Sequence, residues 1–280
     1  NLQFVSKMSL YVVAAMRIIP SISKILQSMQ NYKFGRESFS VLKKDLITDK
    51  KYENESKVEF LNITKFNNDI KLENVSYSYN NSEKLVLKKF NFDIKKNEKI
   101  ILLGQSGSGK STLIDIILGF LKPNEGTIKL DNQNITKKNY NLNKIIGYVP
   151  QQTFLFDDSI ENNISLEFNS SKIDYSKLNN AIEKAELTGF VRSKENSYKT
   201  RIGDDGEMIS GGQKQRVSIA RALYKDPEIL IFDEATNSLD EKTELDIINF
   251  ILSLKNKTII FITHNRNLVK YFDRVFEIDN

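Results

Sequence analysis

The chain has 280 residues, of which 40% are hydrophobic and 28% are charged, with a net charge of +5 and no cysteine. The hydrophobic share is sufficient for a packed core and argues against a disordered chain. The lack of cysteine excludes disulfides, cysteine-based zinc sites and thiol catalysis. The 41 basic and 36 acidic residues are interspersed, which indicates a solvated, lysine-rich surface rather than a nucleic-acid-binding patch.

The first 35 residues carry an apolar stripe at helical spacing. An apolar run at 10–16 is followed by apolar residues three and four positions apart up to Met29, the pattern of a helix. The continuous run is shorter than the about 20 residues that a bilayer span needs, and Arg17 interrupts it. Two interpretations remain open: an ordinary amphipathic helix, or the cytoplasmic end of a membrane helix. Because the chain begins with Asn1 rather than methionine, we expect a piece of a longer protein.

Residues 36–66 are polar and charged. We expect a connector there, with one short helix at 39–47. From residue 67 onward the pattern is that of an α/β domain, and its middle part, 153–225, is predicted to be mainly helical.

Four segments of this domain predict strands of two kinds. Residues 70–75 and 90–94 alternate between apolar and polar, as half-buried strands do. Residues 229–232 and 258–262 are continuous apolar runs, typical of parallel strands covered on both faces.

The most informative segment, residues 104–112, matches the phosphate-binding motif G-x-x-x-x-G-K-[ST]. It lies between the apolar run 100–103 and a helical pattern at 112–118, the strand–loop–helix setting that this motif requires. Its glycines allow successive N–H groups to point at a polyphosphate, and the helix N-terminus adds its dipole. The motif therefore predicts a nucleoside triphosphate site in which Lys110 contacts the phosphates and the Ser111 hydroxyl holds Mg²⁺. The candidate nucleotide ligands of this loop are Gly104, Gln105, Ser106, Gly107, Ser108, Gly109, Lys110, Ser111 and Thr112.

Two other segments carry side chains suited to binding Mg²⁺ and phosphate and to activating water. Asp233 and Glu234 follow an apolar run, so one strand end delivers two carboxylates, of which Asp233 is expected to hold Mg²⁺ and Glu234 to deprotonate an attacking water. The four residues 210–213 precede an amphipathic helix and predict a second phosphate cradle. The candidate ligands of this cradle are Ser210, Gly211, Gly212 and Gln213.

The segment 210–216, Ser-Gly-Gly-Gln-Lys-Gln-Arg, resembles the signature motif of ATP-binding cassette (ABC) proteins, and further landmarks of that family follow in order over 69–280. Tyr79 resembles the aromatic residue that stacks on adenine, and Gln151 resembles the glutamine that touches Mg²⁺ and senses the membrane domain. His264, the only histidine, resembles the residue that the family places against the γ-phosphate.

The resemblance implies a fold, cofactors and partners. The implied fold class is α/β: a P-loop NTPase (ABC ATPase) core with an antiparallel β subdomain and a helical subdomain, preceded by the end of a transmembrane helix. The implied cofactors are ATP and Mg²⁺, with Ser111, Gln151 and Asp233 at the metal and Glu234, His264 and Lys110 as catalytic residues. The implied partner is a second copy, packed head to tail, whose signature motif completes the ATP site.

The particular residues found in these motifs favour a membrane exporter over other ABC proteins. Residues 233–236 and 200–206 resemble exporter sequences, and residues 16–22 resemble the end of the last membrane helix in exporters related to the lipid-linked oligosaccharide flippase. The predicted organisation is therefore the end of a membrane helix at 1–35, a linker at 36–66 and an ATPase domain at 67–280.

The predicted function is ATP-powered translocation of a substrate, with lipid-linked oligosaccharide or another lipid as candidate cargo. We expect the domain at the cytoplasmic face of a bacterial inner membrane, attached to the transmembrane domain of the same polypeptide, with no nucleic-acid partner. The alternative is a soluble ABC ATPase that acts on nucleic acid or on another protein.

Overall fold

The computed structural model describes residues 2–55, 60–79, 84–105, 107–136, 139–142, 144–236 and 239–278. The chain divides into two compact units, Asn1–Glu59 and Phe60–Asn280.

The first unit contains one helix, α1 (Leu2–Glu55). It is longer than predicted: residues 36–55 continue the helix because they contain neither glycine nor proline and include four lysines and three glutamates, which favour a helix. The stretch Lys7–Lys43 is long and apolar enough to cross a membrane, with a mean hydropathy of 1.4 over its most apolar window and none of that window buried. Arg17 lies within this helix and does not interrupt it.

The second unit is built on a central sheet of five parallel strands. Their order is β11-β4-β10-β9-β8. The strands are β4 (Lys99–Leu103), β8 (Ile146–Val149), β9 (Ile229–Asp233), β10 (Thr258–Thr263) and β11 (Arg274–Glu277).

An antiparallel sheet of four strands forms the second layer, in the order β3-β2-β5-β6. Its strands are β2 (Asp69–Tyr77), β3 (Leu87–Lys95), β5 (Glu125–Leu130) and β6 (Gln133–Asn134). A further short strand, β1 (Phe60–Asn62), pairs in parallel with β7 (Asn139–Asn141). Since the nearby Phe66 is fully buried in the same unit, this unit begins at Phe60 rather than at the predicted residue 67.

The phosphate-loop helix is α2 (Lys110–Leu118), and the predicted mainly helical segment 153–225 contains four helices. The helices after α2 are α3 (Ile160–Ser165), α4 (Tyr175–Lys184), α5 (Thr188–Arg192), α6 (Gly211–Tyr224) and α7 (Glu241–Ser253), with 3₁₀ turns at Ser170–Lys172, Ser197–Lys199, Asp204–Gly206 and Arg266–Tyr271.

The central sheet is covered on both faces, as its continuous apolar runs predict. Ile100 and Leu102 of β4 belong to the core shared with α2 and the antiparallel sheet. Ile101 and Leu103 point to the opposite core, which contains residues of α4, α6 and α7. Burying each such side chain contributes about 1.5–3 kcal/mol to folding. The parallel sheet between two cores and the second, antiparallel sheet confirm the fold class predicted from the sequence.

The parallel register brings the carboxyl ends of the strands to one edge. Leu103 of β4 pairs with Thr263 of β10, Ile262 of β10 pairs with Asp233 of β9, and β8 ends one residue earlier beside β9. The segments that follow β4, β8, β9 and β10 therefore begin side by side, which is where ligands bind in sheets of this type.

Candidate active site

The loop between β4 and α2 has the conformation of an anion cradle. Gly107 and Gly109 have φ angles of 81° and 99°, a region that glycine adopts without strain. No side chain caps the first turn of α2, so its backbone N–H groups stay open to an anion. A Cβ on Gly104 would lie 2.5 Å from Ser108 Oγ and 2.8 Å from the Ile278 carbonyl, which explains glycine there. Ser106, a predicted ligand, lies outside the described residues.

Lys110 is buried within this loop. Its Nζ donates to the carbonyl oxygens of Gly104 and Gln105, both at 2.8 Å. These charge-assisted bonds hold the ammonium at the loop. An entering phosphate would compete with the two carbonyls for the same cation.

Tyr79 lies beside the first turn of α2. Its hydroxyl is 3.1 Å from the Thr112 hydroxyl, and its ring meets that of Tyr77 edge-on, with centroids 5.2 Å apart. Tyr79 remains about half exposed, so an aromatic face is open to a stacking partner next to the phosphate loop. Ser111, the predicted Mg²⁺ ligand of the loop, is exposed.

Asp233 is buried at the end of β9. Burial raises the pKa of its carboxyl group and so does the charge of Glu234, whereas the hydrogen bond from Tyr148 and the positive charge of Lys110 lower that pKa. Tyr148 Oη donates to Asp233 Oδ2 at 3.2 Å. The carboxylate is therefore both shielded from water and held by a specific donor.

Glu234 follows in a left-handed backbone conformation, with φ of 47°. Its N–H donates to the Ile262 carbonyl of β10 at 3.0 Å. Gln151, four residues into the segment that begins with Tyr148, donates through Nε2 to Glu234 Oε2 at 2.8 Å. A non-glycine residue in this conformation carries backbone strain, which is found preferentially at functional sites.

His264 comes directly after β10 and is exposed. The next residue, Asn265, is fixed by the Thr263 hydroxyl, which accepts from its N–H at 3.0 Å. The strand register places His264 at the edge that also carries the phosphate loop, Asp233 and Glu234.

The signature segment is built as a helix cap. Gln213 N donates to Ser210 Oγ at 3.2 Å, and Ser210 N donates to Gln213 Oε1 at 3.0 Å, which is a capping box at the start of α6. Within the described residues, neither Ser210 nor Gln213 is joined to the phosphate loop by a hydrogen bond. The structure therefore brings the other predicted site residues that it describes to one edge, whereas the described hydrogen bonds of Ser210 and Gln213 stay within the helix cap. Gly211 lines a cavity together with Gln151.

Sequence reasoning did not single out Tyr148 as a site residue. It pairs with Ile231 in the β8–β9 register, and Asp233 lies two residues further along, on the same face of the sheet. Finding Tyr148 from the sequence requires the register between β8 and β9, two strands far apart in the chain.

The residues at this edge suit Mg²⁺ that arrives with a nucleotide. Among the described residues, no group of three or more acidic, histidine or cysteine side chains could hold a metal ion alone. Mg²⁺ is commonly bound by one or two carboxylates together with substrate phosphates. Asp233 with the Ser111 hydroxyl and the Gln151 side-chain oxygen fits such a shared site.

Comparison with known proteins identifies the class. Residues 87–237, more than half of the chain, match the family described as ABC transporter. The chain belongs to this family, and it is an ATP-binding ATPase domain of it.

Individual relatives point to exporters. The chain is 39% identical over 222 residues to the lactococcin-G-processing and transport ATP-binding protein LagD of Lactococcus lactis, covering 78% of the chain and 31% of that protein. It is 37% identical over 213 residues to the ATP-dependent lipid A-core flippase of Saccharophagus degradans, covering 75% and 36%. A bacterial Atm1-family ABC exporter solved with ATP bound aligns with a TM-score of 0.71 and 31% identity, over 79% of this chain and 40% of that one. The chain thus spans about a third of the length of its curated relatives.

Proposed function

We propose that this domain hydrolyses ATP to drive a membrane exporter. The observation that carries the proposal is the meeting of the phosphate loop, Asp233, Glu234 and His264 at one edge of a parallel sheet. Such an edge supplies phosphate binding, a metal-binding carboxylate and a base within one site.

Each residue has a role that follows from its chemistry. Tyr79 stacks on the adenine, and the backbone N–H groups of the loop with Lys110 bind the phosphates. Ser111, Gln151 and Asp233 would hold Mg²⁺, which neutralises phosphate charge when bound. His264 donates a hydrogen bond to the γ-phosphate.

Glu234 orients and deprotonates the attacking water. Gln151 supports this role because its amide nitrogen holds the Glu234 carboxylate, while its amide oxygen is still free to accept or to bind a cation. A displacement of Gln151 would remove this hydrogen bond from Glu234, which couples the position of this loop to hydrolysis.

The second copy completes the site. The first turn of α6 presents N–H groups and the Ser210 hydroxyl, a suitable cradle for a γ-phosphate. Because no hydrogen bond among the described residues joins these groups to the phosphate loop of their own chain, a head-to-tail dimer is the arrangement that uses both. ATP then closes the dimer, and hydrolysis reopens it.

Helix α1 supports a membrane-attached domain over a soluble one. Its described side chains are exposed, and a long apolar surface of this kind requires lipid or other helices to cover it. This favours attachment to a transmembrane domain of the same polypeptide, with the ATPase at the cytoplasmic face.

The proposal also covers the transported substrate. Relatives are named for lactococcin G, for the lipid A-core and for iron–sulfur clusters, so likeness of the ATPase domain does not select among cargoes. The resemblance of residues 16–22 supports a lipid-linked oligosaccharide or another lipid. Stimulation of ATP hydrolysis in the intact protein by peptides, with none by lipid-linked sugars, would contradict this choice.

Replacing the base tests the mechanism. Glu234→Gln should lower ATP hydrolysis by about 10²- to 10⁴-fold, the usual contribution of a general base, while ATP binding persists and the dimer accumulates. Steady-state hydrolysis and light scattering with ATP measure both effects. The matched control is Glu183→Gln, on the exposed side of α4, which should leave both unchanged. An unaltered rate for Glu234→Gln would remove Glu234 from the role of base.

A further inference from the structure

One short segment contacts both acidic residues of the site. Tyr148, in β8, donates to Asp233 Oδ2 at 3.2 Å, and Gln151, just after β8, donates to Glu234 Oε2 at 2.8 Å. Asp233 and Glu234 are adjacent in sequence, but Asp233 is assigned to Mg²⁺ binding and Glu234 to the deprotonation of water. The end of β8 therefore holds the metal-binding carboxylate and the base separately.

The Tyr148 hydroxyl is suited to act as a permanent donor. The phenolic hydroxyl of Tyr148 carries its proton at neutral pH and lies 3.2 Å from Asp233 Oδ2. Its ring packs against the core on the face of β9 that carries Ile229 and Ile231. The donor is thus fixed by packing as well as by its own bond.

The hydrogen bond takes only one oxygen of the carboxylate. Tyr148 occupies Oδ2, and within the described residues no hydrogen bond to Oδ1 occurs. A carboxylate held at one oxygen keeps a fixed orientation while the other remains available, which is how outer hydrogen bonds orient metal ligands.

We propose that Tyr148 is a positioning residue that orients Asp233 for the Mg²⁺ of the Mg–ATP complex. This inference rests on the proposed function, since it assumes that Asp233 binds the metal. It adds a residue that the phosphate-binding motifs do not contain. It also makes β8 the element through which movement of the Gln151 segment reaches the metal site.

The test removes the hydroxyl and keeps the ring. In the intact protein, Tyr148→Phe should weaken Mn²⁺ binding in the presence of a non-hydrolysable ATP analogue by about tenfold, the lower end of the usual loss for an outer partner of a metal ligand. Electron paramagnetic resonance of free and bound Mn²⁺ measures this without any turnover. ATP binding in EDTA should be unchanged, because the phosphate loop and Tyr79 do not depend on this hydroxyl.

The matched control is Tyr175→Phe. Tyr175 Oη also donates to a carboxylate, Glu161 Oε2, at 3.1 Å, but in the helical part of the unit. This variant should bind Mn²⁺ as the unmodified protein does.

Two results would overturn the proposal. One is Mn²⁺ binding of unmodified affinity in Tyr148→Phe. The other is a parallel loss of metal-free ATP binding, which would make the hydroxyl a support of the fold rather than of Asp233. Neither depends on hydrolysis, so failure of Glu234 as the base would be recognised separately.

Discussion

At the scale of the residue, the glycine at 126 shows how local geometry limits substitution. Its φ is 90°, and a Cβ there would lie 2.4 Å from the Asn74 carbonyl oxygen, beside an irregularity in the β2–β5 pairing. Gly126→Ala should therefore destabilise the domain by about 1–3 kcal/mol, the cost of a strained backbone position. Thermal unfolding without nucleotide measures the loss.

Gly189→Ala is the control for that substitution. Gly189 lies in α5 with no atom within 4 Å of its added Cβ, and alanine favours a helix over glycine. An equal or higher melting temperature is expected. If both variants lost the same stability, the close approach at Asn74 would not be the cause.

The role of a single residue can be predicted where one short sequence motif contains all the residues that form the site. The loop around Lys110 needs only a strand before it and a helix after it, and both are visible in the sequence. The Tyr148–Asp233 bond is different, since its partners lie on separate strands and meet only through the register. The Gln151–Glu234 bond was missed for the same reason, although both residues were predicted to be in the site.

At the scale of the element, the cap of α6 combines stability with proposed function. Ser210 Oγ accepts from Gln213 N, and its hydroxyl proton is still available for a phosphate. Ser210→Ala should cost about 1 kcal/mol, as loss of an N-cap does, and it should also strongly reduce ATP hydrolysis.

Asp174→Ala separates the two effects. Asp174 caps α4 by accepting from Ser176 N and Lys177 N, so its loss should cost similar stability and leave hydrolysis intact. Chemical denaturation and initial rates on both variants make the comparison. Equal rates in the two variants would mean that Ser210 serves only its helix.

Some elements were predicted less well than others. β1 was missed because its three residues, Phe60–Asn62, are too few for a periodic signal and follow a charged stretch. Helix α1 is longer than predicted because the polar composition of 36–55 predicts a connector, although polar residues that favour a helix extend it as readily as apolar ones. The buried strands β9 and β10 were predicted correctly, since long apolar runs leave few alternatives.

At the scale of the whole molecule, the sequence predicts the layers but not the way copies associate. The parallel strands at 229–232 and 258–262 and the helical part at 153–225 follow from apolar patterning, whereas the antiparallel β subdomain is implied by the family resemblance. The arrangement of a dimer depends on surfaces of two chains, and the resemblance to known proteins supplied that expectation. The separation of the α6 cap from the phosphate loop, seen as the lack of a hydrogen bond between them among the described residues, supports it.

This separation has a consequence for mixtures of defective chains. If each pocket draws Lys110 from one molecule and Ser210 from another, Lys110→Ala and Ser210→Ala chains are both inactive alone. When the two are co-expressed, their heterodimers concentrate both lesions in one pocket and leave the other pocket fully equipped. Activity should then reappear in tagged, purified heterodimers, a rescue that no pocket made from a single molecule could produce.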